Sequence, residues 1–132
     1  MTIFENKVTI ARRADEIFEF LADMNNHQQL MPADDITEWI SDQDKASFVI
    51  RGMIKLTLKI ENSIKNKEIK IVLVEEPPFE MTLTWGLAEK EGETEVTFTI
   101  AADLNVMMKM AVSGQLKKLT GHETNNLSLI FS

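Results

Sequence analysis

The side chains in this sequence that could do chemistry are few and widely spaced. Cysteine is absent, which removes thiol nucleophiles, thiolate metal sites and disulfides together. The two histidines, His27 and His122, lie far apart in the chain, so a zinc site would need carboxylates to complete it. No metal and no cofactor are expected. His27 is of the type that serves as a general base near neutral pH, but it sits in the polar run Asn25-Asn26-His27-Gln28-Gln29, which reads as exposed. His122, beside Gly121, is the weaker candidate. Glu38 and Arg51 could face an interior from neighbouring strands, and an inward Glu38 would have a raised pKa. The plainer reading is a solvated strand charge. Glu75 and Glu76 resemble a catalytic carboxylate pair, but adjacent strand residues point to opposite faces and cannot converge on one bond. Asn6 would be the one polar side chain on the inward parity of its strand. It either orients a ligand oxygen or bonds to nearby backbone, because a buried amide must find partners. These residues do not nominate a catalytic group.

The elements that would position them follow from periodicity. Phe4, Val8 and Ile10 share one parity, so residues 2–11 read as a strand with one buried face. Over 14–23 the period changes: Ile17, Phe20 and Leu21 recur at three and four, with Asp15 and Glu16 in the first turn where the helix dipole favours them. Residues 25–31 read as a second short helix with Leu30 and Met31 buried, ended by Pro32. Strands are expected near 36–41, 45–51, 53–62, 67–75, 80–89 and 92–103. The turn chemistry lies between them, at Ser41-Asp42-Gln43-Asp44, Arg51-Gly52, Asn62-Ser63, Pro77-Pro78 and Glu91-Gly92. Short connections between successive strands imply an antiparallel meander.

The last four strands carry the strongest pattern. On one parity stand Ile54, Leu56, Leu58, Ile60, Ile69, Ile71, Leu73, Met81, Leu83, Trp85, Leu87, Val96, Phe98 and Ile100, all apolar. The other parity holds Lys55, Thr57, Lys59, Glu61, Lys70, Thr82, Thr84, Thr97 and Thr99. A sheet with one wet face needs its other face covered. The remaining chain supplies the cover. Asn105 can cap a helix, and Val106, Met107, Met110, Ala111, Gly114, Leu116, Leu119, Leu127 and Ile130 follow as an apolar stripe interrupted by Glu123. A helix over 105–130 would be about 39 Å long, with a possible break at Gly121.

Bulk properties exclude some classes. A chain of 132 residues fits one domain, 1–132. Its net charge of −7 disfavours nucleic acid and anionic membrane surfaces as partners. The N-terminal residues lack the apolar run of a signal peptide, and no stretch approaches the roughly 18 apolar residues of a membrane span. A cytoplasmic protein without membrane insertion is expected. The oligomeric state is not set by the sequence.

The order strand, two helices, six strands and long helix resembles the START / pollen-allergen / polyketide-cyclase (SRPBCC) superfamily, in particular its small bacterial members. The segments ADEIFEFLADMNNHQQLMP (14–32), FVIRGMIKLTLKI (48–60), PPFEMTLTW (77–85) and TEVTFTIAADLNVMMKM (94–110) carry the resemblance over nearly the whole chain. Gln115-Leu116 stands where such proteins often have Pro-Leu. The resemblance implies an α+β helix-grip fold, a curved antiparallel sheet of about seven strands around the C-terminal helix, with a cavity between them. It implies a small hydrophobic partner such as a lipid, polyketide-like or isoprenoid compound. Asn6, Phe48, Leu56, Met81, Leu83, Trp85, Phe98, Met107, Met110 and Gly114 are the expected ligand-binding residues. Plain core filling is the competing reading for each, and irregular core packing is the competing reading for Met107, Met108 and Met110. A cyclase/dehydratase or hydrolase-type enzyme and a partner-binding module are the alternative functions. The inner face of the last four strands offers no acid or base for the first, and the Thr and Lys pattern of the outer face shows no large apolar patch for the second.

Overall fold

A computed structural model describes all residues 1–132. Strand β1 (Thr2–Ile10) leads into helix α1 (Ala14–Leu21) and a 3-10 helix (Met24–Leu30). Six strands follow: β2 (Ile36–Ser41), β3 (Lys45–Ile50), β4 (Ile54–Ile64), β5 (Glu68–Val74), β6 (Met81–Lys90) and β7 (Glu93–Ala102). Helix α2 (Val106–Ile130) ends the chain. All seven strands form one antiparallel sheet in the order β1-β7-β6-β5-β4-β3-β2. The two short helices therefore carry the chain from one sheet edge to the other, and the meander walks back until β7 pairs with β1.

Local chemistry explains the joints. Glu91 and Gly92 both have positive φ and form a two-residue hairpin turn between the paired Lys90 and Glu93, which matches strand twist. Arg51 and Gly52 share that conformation within the three-residue loop between Ile50 and Ile54. Ala14 N–H, left without a partner at the start of α1, donates to Glu89 Oε1 at 2.6 Å, so β6 caps the helix that packs on it. Asn105 accepts from Met108 N–H at 2.8 Å and starts α2, which then runs without a break through Gly121.

The inward parity of the late strands is buried as the pattern requires. Of the fourteen apolar residues, all but the half-buried Ile54 and Ile60 are buried. Mixed parity in β2 has a local cause. The register shifts between Thr37 and Ile40, and Glu38 there has φ 55°. This β-bulge inserts a residue and reverses the facing, so Ile36 and Trp39 both turn inward while Ile40 is exposed. Glu38 itself is exposed on the bulge and Arg51 is exposed in its turn. No helix is long and apolar enough to cross a membrane.

The facing assignment has a direct test. Phe98→Asp places an unpaired charge in the core and is expected to cost more than about 5 kcal/mol, enough to prevent folding. Thr97→Asp, on the outer face opposite Lys7, is expected to stay within about 1 kcal/mol of wild type. Urea denaturation of both variants checks it; similar midpoints would contradict the facing.

Candidate functional site

Helix α2 divides into two halves. In Val106–Gln115 no residue is buried; from Leu116 onward Leu116, Thr120, Glu123, Thr124 and Leu127 are. The second half is fastened at named points. Asn6 Nδ2 on β1 donates to Thr124 Oγ1, which itself donates to Thr120 O at 2.9 Å. Asn126 Nδ2 donates to Leu30 O of the 3-10 helix at 3.1 Å. Asn6 thus points inward as its parity implies, and its partner is a helix side chain rather than backbone.

Beneath the raised first half lies a cavity of about 150 Å³. Ile54 and Leu56 of β4, Phe79 from the loop before β6, and Ala111, Val112 and Leu116 of α2 line it. Arg51 and Gln115 stand at its rim; with the Gln115 amide oxygen turned toward Arg51, it accepts from both guanidinium nitrogens at 3.2 and 3.3 Å. A smaller void of about 30 Å³ adjoins it across Ile50, Gln115 and Leu116. Met53, at the edge of the cavity, is 78% exposed, and Val106, Met107 and Met110 on the first half of α2 are 75–85% exposed. A larger depression of about 630 Å³ beside the start of α1 is an open surface groove with Arg13, Asp15, Lys65, Lys67 and Glu89 of both signs.

Besides Asn6, held by Thr124, the structure sorts the expected ligand-binding residues into three groups. Leu56 lines the cavity. Phe48, Met81, Leu83, Trp85 and Phe98 are buried on the concave face, with Trp85 and Phe98 stacked at 4.0 Å between centroids and Phe48 stacked on Trp39 at 5.3 Å. Met107, Met110 and Gly114 are a correction: all three are exposed on the outer face of α2. They share one stripe by helical spacing, but the stripe in phase with buried Leu116 runs back through Val112 and Met108, both half-buried.

Two titratable groups lie inside, and neither was recognised from the pattern. His27 is 1% exposed, against the exposed reading. Its segment is a 3-10 helix with three residues per turn, so Met24, His27 and Leu30 share one buried face. His27 Nε2 is 2.8 Å from Leu21 O. A carbonyl only accepts, so Nε2 carries the proton. Burial holds His27 below the usual imidazole range, opposed by the bond to Leu21 and by the Asp23 charge. Glu123, read as an interruption of the stripe, is 1% exposed, and burial pushes its pKa up to about 8. Its Oε2 and the Trp85 Nε1–H have no hydrogen-bond partner. The His27 and Trp85 rings meet edge to face at 6.4 Å. No group of three ligating side chains stands close enough to hold a metal.

No protein-family model matches this chain, and no curated protein matches it by sequence. Solved structures do. XoxI from Bacillus cereus superposes with a TM-score of 0.78 at 10% identity, over 99% of this chain and 96% of its own. A START superfamily protein from Mycobacterium smegmatis gives 0.68 at 15% identity, over 98% and 96%. The di-domain ARO/CYC protein BexL of the BE-7585A biosynthetic pathway gives 0.67 at 16% identity, over 98% of this chain and 47% of that one. The chain has a START-like helix-grip fold. Within that grip the neutral carboxyl of Glu123 and the neutral ring of His27 make an interior with hydrogen-bonding capacity and no buried cation.

These two groups set opposite pH dependences. The folded state holds Glu123's proton up to about pH 8 while the unfolded state releases it near 4.5, so this group's contribution falls as pH rises across that window. His27, lowered from 6.5, adds stability as pH rises to 6.5 and nothing above it. Between pH 6.5 and 8 the Glu123 loss therefore stands alone, with a slope of up to about 1.4 kcal/mol per pH unit. Denaturant unfolding across this range should show that loss in wild type and a flatter profile in Glu123→Gln. Parallel profiles would contradict the neutral, buried carboxyl.

Proposed function

We propose that this chain binds a small hydrophobic molecule between the sheet and α2, with the way in beneath the raised first half of the helix. One observation carries the reading: an apolar cavity under a helix half that has no buried residue, with the exposed side chain of Met53 at its edge. Water gains little in such a space, and an apolar cavity of this size suits a benzene-sized ring. A lipid, polyketide-like or isoprenoid compound is larger, and ligand sites usually span about 300–1,000 Å³. Such a ligand would extend past the edge of the cavity, where the exposed Met53 adapts to varied shapes. The likeness to a START superfamily protein and to an ARO/CYC protein supports the same class of ligand.

A cyclase/dehydratase or hydrolase-type enzyme is the second reading. It draws on Glu123 and His27, a protonated acid and a neutral imidazole in one interior. His27 has already committed its Nε2–H to Leu21, so only its other ring nitrogen is open to a substrate.

Thermal unfolding against a panel of lipophilic compounds tests the binding reading. At a hundred-fold excess over Kd a ligand adds about 2.7 kcal/mol, a clear rise in Tm. Val112→Trp, which fills the cavity from the helix side, should abolish that rise while the variant still folds. No stabilising compound, or equal stabilisation of Val112→Trp, would contradict it.

A further inference from the structure

The interior carries two unmet polar atoms, Trp85 Nε1 and Glu123 Oε2. Native structures leave few such groups, and each needs an explanation, because an unmade bond costs the full desolvation of its group. Their surroundings bring both to the same end of the grip, without a hydrogen bond between them. Asn6, Phe98, Trp85 and Ile69 lie on one rung across β1, β7, β6 and β5. Thr124 is tied over the Asn6 end of that rung. Three residues beyond Glu123, on the same side of α2, Asn126 is tied to the 3-10 helix. The His27 ring of that 3-10 helix rests against Trp85. Glu123 therefore projects from α2 above the rung, toward the Trp85–His27 contact.

Resting on the hydrophobic-ligand reading above, we infer that Trp85 Nε1 and the Glu123 carboxyl recognise one uncharged oxygen at the leading end of the ligand, a hydroxyl or carbonyl. The donor on Trp85 requires an acceptor. Glu123 can give or take a hydrogen bond when protonated. One hydroxyl oxygen satisfies both at once. An anionic head is excluded because the buried polar residues are His27, Thr57, Thr94, Thr120, Glu123 and Thr124, with no lysine or arginine among them. An ammonium offers no acceptor to Trp85. The distance suits a compact amphiphile. Leu116 at the cavity and Glu123 are seven residues apart, about 10 Å along the helix. Leu116 lines the cavity and Thr120 is buried between it and Glu123, so a ligand reaches the site by turning the Leu116 side chain aside and passing Thr120.

Calorimetric titration with naphthalene, 1-naphthol, 1-naphthoate and 1-naphthylmethylamine separates the possibilities. Wild type should bind 1-naphthol about ten-fold or more tightly than naphthalene, the scale of one or two buried hydrogen bonds, and both ionic probes more weakly than 1-naphthol. Trp85→Phe, which keeps a ring without the N–H, and Glu123→Leu, which removes an unpaired buried carboxyl, should each bring the naphthol-to-naphthalene ratio close to one. If wild type binds naphthalene and 1-naphthol equally, the polar site is wrong while the hydrophobic-ligand reading stands. The same holds if the amine or the acid binds best, or if both variants keep the full ratio, as they would were the two atoms bridged only by ordered water. Binding of none of the four probes overturns both readings.

Discussion

One face of the sheet is apolar almost without interruption, and a single helix of 25 residues covers it. Everything else follows from how incompletely that cover is fastened. Leu116, Thr120, Glu123, Thr124 and Leu127 bury the second half of α2, and two side-chain hydrogen bonds, Asn6–Thr124 and Asn126–Leu30, fix its direction. The first half continues the same rod over the open end of the grip. There Met108 and Val112 are the half-buried apolar side chains, and no residue is fully buried. Since hydrophobic stabilisation scales with the apolar area removed from water, the two halves are held with very different strength. Gly114 lies near the boundary with open space where a Cβ would stand, and a helix-interior glycine costs about 1 kcal/mol relative to alanine.

The polar interior belongs to the fastened half. A carboxyl without a partner in an apolar core stays neutral rather than bear the cost of a buried charge, and Glu123 does so. His27 is neutral for the same reason, with its ring braced by Leu21 O and by the Trp85 ring. Buried groups of this kind reduce stability unless something satisfies them, and proteins retain such features where function uses them. The grip thus combines an apolar opening at one end of α2 with hydrogen-bonding capacity two turns deeper.

The sheet was legible because period two over fourteen apolar positions has one solution: strands facing one cover. Phe98, Trp85 and their neighbours are buried where parity places them. The interior polar groups were less legible, each for a physical reason. His27 belongs to a three-residue period that a polar run such as Asn25–Gln29 does not display. Glu123 breaks an apolar stripe, and a charged residue in a stripe reads as a solvated gap unless its neighbours fix the phase. Leu116 and Leu127, eleven residues apart, do fix it, and extending that phase backward selects Met108 and Val112. Because α2 has apolar residues on two stripes in its first half, Met107, Met110 and Gly114 fitted the pattern equally well and face outward. The bulge at Glu38 was hidden because one inserted residue erases the alternation that would reveal it.

The unequal hold on α2 is open to direct measurement by native-state amide hydrogen exchange, resolved along residues 106–130. Amides of the first half should exchange through low-energy local opening, much faster than those from Leu116 onward, which should approach the protection of β6 and β7. Uniform slow exchange along the whole helix would contradict a raised first half, and with it the way into the grip.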